Sequence, residues 1–121
     1  MKRDFDLIRE LLLHFEMKNS SGVEQRPEID GYDDEVIGYH LRLMHDASFI
    51  RAELIKSTTS DRVVQVWPFE LTWQGHEFLD TVRDEEVWRK ILDVVAQKGG
   101  SMAFAVIQKI AAQLATGQMS P

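Results

Sequence analysis

The chain has 121 residues, 44% hydrophobic and 28% charged, about one domain's worth of sequence with enough apolar mass for a core. Lys and Arg number 14 against 20 Asp and Glu, and the formal charge of −6 argues against a general polyanion binder, whose footprint is a basic face. The absence of cysteine excludes disulfides, thiolate metal sites and thiol nucleophiles, and no apolar run approaches the roughly 20 residues that span a bilayer.

Phe5, Ile8, Leu12 and Phe15 recur at spacings of three and four and predict a helix over 4–17, with Asp4 as its N-cap. Acids this early, with no apolar stretch ahead of them, set the expectation of a cytoplasmic protein. The helix stops in the polar cluster Lys18-Asn19-Ser20-Ser21-Gly22. Residues 23–31, broken by Pro27, read as a loop with one brief strand. Asp33 and Asp34 open a second helix, since acids favour its positive end. Ile37, Leu41, Met44 and Ser48 step along one face of it, while Glu35, Gly38, Tyr39, Arg42 and His45 share the other.

Residues 50–56 alternate apolar and polar, 57–61 are small polar turn residues, and 62–67 carry Val64 and Val66 back, with Pro68 closing the strand. That is a β-hairpin. Thr72 is placed to cap a helix carrying Trp73, His76, Phe78 and Leu79, and Asp84 restarts the helical pattern with Val87, Trp88, Ile91 and Val95. Gly99 and Gly100 break it, Ser101 recaps, and 102–115 form a last helix, apolar nearly all round and therefore expected to be buried. Trp67, Phe69, Trp73, Phe78 and Trp88 are expected to pack the core rather than stack on bases.

Helix, linker, helix, hairpin, helix is the element order of a winged-helix-turn-helix-like domain. The expected class is mainly α with a β-hairpin (α+β), with additional C-terminal helices. A two-stranded hairpin, marginal alone, gains support by covering the open apolar edge of a helical cluster. The expected division is a winged-helix-like domain over 1–98 and a C-terminal apolar helix over 99–121, in the same domain or serving dimerisation.

Two stretches carry a resemblance. Val36-Ile37-Gly38-Tyr39-His40-Leu41-Arg42-Leu43-Met44-His45-Asp46-Ala47-Ser48-Phe49-Ile50 resembles the recognition-helix signature of winged-helix regulators. Leu71-Thr72-Trp73-Gln74-Gly75-His76-Glu77-Phe78-Leu79-Asp80 is similar to the LT-x-x-G segment that follows the wing in the same superfamily. With Lys2-Arg3-Asp4, Asp6-Leu7-Ile8-Arg9 and Val87-Trp88, nearly the whole chain resembles the bacterial and phage family catalogued as domain of unknown function 2513. The resemblance implies a fold and a bacterial or phage context; the activity of that family is not established. Ser48 stands where the pattern has Gly, at a helix C-terminus that commonly needs a left-handed residue.

The scaffold admits two uses. One is a DNA-binding regulator, touching DNA through Tyr39 and Arg42 on the second helix and through Arg51, Lys56 and Arg62 flanking the hairpin tip, with Lys2, Arg3 and Arg9 able to meet a backbone. Against it, residues 33–46 hold four acids (Asp33, Asp34, Glu35, Asp46) and one base, Arg42, a net of −3. The other use is an acidic protein-interaction module, an adaptor or inhibitor mimicking nucleic-acid charge, with Tyr39 and Arg42 as contact residues.

Enzyme chemistry finds no footing. His40 and His45 are five apart and do not share a helical face, so no metal site is expected; His40 reads as a satisfied core residue, and His76 as a local tie between helix and hairpin. The run Gly99-Gly100-Ser101-Met102-Ala103 lacks the preceding strand and later Asp and His of a nucleophile elbow. No phosphate-cradling glycine motif occurs and no cofactor is expected. The Ala-rich last helix, with Ile107, Ile110, Ala111 and Leu114 as its ridge beside Ala103 and Ala115, is expected to pair two copies into a homodimer.

Overall fold

The computed structural model describes residues 1–100 and 102–115, and these form five helices and one antiparallel hairpin, an α+β arrangement compatible with a winged helix. The elements are α1 (Phe5–Glu16), α2 (Asp34–Asp46), β1 (Ile50–Lys56), β2 (Val63–Leu71), α3 (Trp73–Val82), α4 (Glu85–Gln97) and α5 (Phe104–Ala115). Contacts group the chain into two compact units, Met1–His76 and Glu77–Pro121. Among the described residues no helix is long and apolar enough to cross a membrane.

In the first unit, side-chain caps set where helices begin. Asp4 Oδ1 accepts from the N–H groups of Asp6 (2.9 Å) and Leu7 (3.1 Å), and Asp33 Oδ1 from that of Val36 (2.9 Å). The apolar stripe of α1 is buried from Phe5 to Phe15, and α2 buries Ile37, His40, Leu41 and Met44. At the end of α2, Ser48 takes φ +64°, with Phe49 N–H reaching Met44 O (2.8 Å) and Ser48 N–H reaching His45 O (3.0 Å). This is the paired 6→1 and 5→2 closure in which glycine is usual, and serine carries a cost there of about 1 kcal/mol. No strand forms between α1 and α2, contrary to the sequence reading of 23–31. That segment is strapped down instead: Glu24 N–H bonds Pro68 O (2.9 Å), His14 Nε2 meets Glu24 Oε1 (2.7 Å), and Lys18 Nζ donates to Phe69 O (2.7 Å).

Pro68 does not close the return strand, which runs on to Leu71. Pro68 pairs opposite Ala52, and its carbonyl accepts from Glu24 rather than from β1. In an antiparallel strand a residue's N and O share a side, so the N–H that proline lacks would face away from β1 and no ladder bond is lost. The Leu71-Thr72-x-x-Gly75 segment locks the base of the hairpin. Thr72 Oγ1 accepts from Gly75 N–H (3.1 Å), its hydroxyl donates to Ser48 O, and Thr72 N–H donates to Phe49 O (2.9 Å). A Cβ on Gly75 would lie 2.2 Å from the Phe49 carbonyl oxygen, so only glycine lets α3 start this close.

In the second unit Asp84 Oδ1 caps α4 through Val87 N–H (3.0 Å), and Trp88, Ile91 and Val95 form its buried face. The rings of Phe78 and Phe104 lie 4.7 Å apart. Helix α5 is amphipathic rather than buried all round: Ile107 and Ala111 are buried, Ile110 and Leu114 half-buried, and Val106 is 44% exposed. Ser101 and the side chain of Ala115 lie outside the described residues. The aromatics also divide. Phe78 and Trp88 are buried, Trp67 and Phe69 half-buried, and Trp73, at the first position of α3, is 75% exposed.

Candidate binding groove

The residues singled out in the sequence fall in three places. Tyr39 and Arg42, one turn apart on α2, line an open groove of about 440 Å³ between α2 and β2. Lys56 and Arg62 are exposed at the loop end of the hairpin, where Ser57 N–H bonds Arg62 O (2.8 Å). Arg51 is not at the tip. The register sets it opposite Glu70 at the base, five residues from Lys56 in sequence; at ~3.3 Å per residue that is about 17 Å along the strand. There its Nη1 lies 3.3 Å from Leu71 O and 3.5 Å from Glu70 Oε1. Arg9 is also withdrawn from any phosphate contact, being buried within α1, whereas Lys2 and Arg3 are exposed.

The groove has a helical wall and a strand wall. From α2 come Asp34, Glu35, Gly38, Tyr39 and Arg42, and Arg42 Nη1 lies 3.5 Å from Val63 O across it. The strand wall is the outer edge of β2 from Val63 to Val66. Pro68 O points away from β1, and the register is regular from Pro68 to Val66. Val66, two residues on, therefore directs its N–H and C=O to the same outer side. Among the described residues no hydrogen bond reaches that side of Val66. Gly38 sits mid-helix with nothing within 4 Å of where a Cβ would be.

A polar cluster behind this wall fixes the placing of α2. His40 is buried with both ring nitrogens engaged: Nε2 accepts from Asp4 N–H (2.8 Å), so Nδ1 carries the proton and donates it to Val36 O (2.8 Å). Neither nitrogen has a lone pair left for a metal. The Tyr32 hydroxyl donates to Asp4 Oδ2 (3.2 Å), and burial first, then the Asp4 charge and that hydrogen bond, push its pKa up to about 12. His76, by contrast, is exposed and makes no side-chain hydrogen bond among the described residues, so it does not tie α3 to the hairpin.

The sequence reading placed Gly38 on the outer face of α2 but gave it no role, although a helix-interior glycine was a signal in plain view. Arg26, Pro27 and Val66 were missed as groove residues, since only the Glu24–Pro68 strap and the strand register bring them there.

The family described as "Hypothetical protein (DUF2513)" matches residues 2–101. The chain belongs to this family. An uncharacterized protein of Haemophilus influenzae is 32% identical over 112 residues, covering 92% of this chain and 92% of that protein. No solved structure matches. Membership of the DUF2513 family thus brings a bacterial relative and no assigned activity.

Proposed function

We propose that the protein is a non-enzymatic, cytoplasmic binding module that works through α2 and the hairpin, and that this face takes a protein rather than DNA. The observation that carries the reading is the charge of α2. Asp33, Asp34 and Glu35 are exposed at the end a recognition helix presents to base edges, and Arg42 leans on the Val63 carbonyl. A duplex bears one negative charge per ~1.7 Å of axis, so these carboxylates repel it. Tyr39 and Arg42, both lining the groove, are residue types enriched at protein interfaces. An adaptor or inhibitor in a bacterial or phage setting fits this chemistry. Fluorescence anisotropy with labelled duplex DNA at low salt tests it: no binding at tens of micromolar is expected, and binding would reject it.

One observation favours the second reading, a DNA-binding regulator. Lys56 and Arg62 are both exposed at the loop end of the hairpin, with no ion pair among the described residues. Under that reading a duplex shift is lost in Lys56→Ala with Arg62→Ala. Pairing of two copies through α5 would have to use Val106, Ile110 and Leu114, since Ile107 and Ala111 are already buried in the chain. Light scattering after gel filtration decides this, a dimer mass being expected and a monomer at tens of micromolar ending it.

A further inference from the structure

We propose, on the basis of that protein-binding reading, that the α2–β2 groove receives a short extended peptide of the partner, paired through its backbone to Val66. Three observations converge. The Val66 N–H and C=O are directed to the outer edge of the sheet, unpaired among the described residues, on a residue that lines the groove and is 6% exposed. An open donor and acceptor on a sheet edge are what an added strand uses.

Gly38 faces the same groove. A glycine in a helix interior costs about 1 kcal/mol against alanine, and no contact inside the protein requires this one, because a Cβ would meet nothing within 4 Å. What glycine does provide is a helix surface that a second main chain can approach closely.

The edge itself selects the occupant. The chain's own Glu24 already donates its N–H to Pro68 O, and Gln25, Arg26 and Pro27 then line the groove, leaving Val66 as the next open position. Pro68 on one side and the register slip at Val64 on the other bracket that position. A second copy's hairpin, which needs a continuous ladder, finds one complete partner residue; a short peptide needs no more. Arg26 and Arg42 line the groove together with Asp34 and Glu35, so it matches an uncharged segment or one bearing a charge of each sign.

The test pans a library of random peptides on the full chain and follows the enriched sequences by amide NMR of the ¹⁵N-labelled protein. Binding is expected to shift the Val66 amide and slow its hydrogen exchange about tenfold or more. Gly38→Leu, which fills the groove from a helix it should not destabilise, is expected to weaken binding about tenfold or more with its melting temperature kept. Gly38→Ala serves as the milder variant. Failure of any sequence to enrich, an unmoved Val66 amide, or unchanged affinity for a folded Gly38→Leu overturns the proposal. The DNA titration is independent of these readouts: a duplex that binds ends the protein-partner reading, whereas a silent duplex with no enriched peptide ends only the peptide groove.

Discussion

The first turn of α3 and the middle of α2 each hold a glycine, and for opposite reasons. At Gly75 the protein itself occupies the space a side chain would need, the Phe49 carbonyl oxygen standing 2.2 Å from the Cβ position. At Gly38 nothing stands within 4 Å. One glycine is accounted for by the fold. The other is accounted for only by something outside it, which is why the same residue type reads as architecture in one helix and as a binding feature in the other.

The comparison can be broken most forcefully at Gly75. Gly75→Ala drives a methyl into a backbone carbonyl and is expected to lower stability by ~3 kcal/mol, measured by urea denaturation; a neutral effect would mean that α3 is free to back away. His40→Ala is next. It orphans the Asp4 N–H behind the groove wall and opens a cavity, for a loss of ~2 kcal/mol in the same assay. Gly38→Ala should move the other way, raising stability by about 1 kcal/mol; a loss would show that the space beside α2 is already committed. The smallest effect is alkaline. Tyr32 has its pKa raised in the folded chain from 10.0 to about 12, so it deprotonates more readily once unfolded. Its stabilising share is complete below pH 10 and lost as pH rises through about 12. Tyr32→Phe should flatten that alkaline slope, with tyrosinate absorbance of the parent chain following the titration.

Much of this was legible in residue order. Asp4 and Thr72 were readable as caps, and Asp33 and Asp84 as helix starts, because an N-cap needs only one short side chain and its own next turn. The hairpin was readable from its alternation. What was not legible depends on partners far along the chain. Pro68 looked like a strand end because the sequence does not say which side of the strand faces its neighbour. Arg51 was assigned to the tip because hairpin position was judged by type, and register alone sets it at the base. Helix α5 looked wholly buried because apolar composition does not tell how much surface a small unit has available to cover it. The groove was invisible for the same reason: Gln25, Arg26 and Pro27 meet Gly38 and Val66 only after the strap closes.

That strap has one more effect. A two-stranded ribbon ordinarily offers its flanks as templates on which identical chains stack into fibres. Here the stitch from Glu24 to Pro68 and the slip at Val64 shorten the usable flank of β2 to a single residue, too little to seed a growing cross-β stack. On the β2 flank the chain thereby keeps a recognition edge open without inviting polymerisation there.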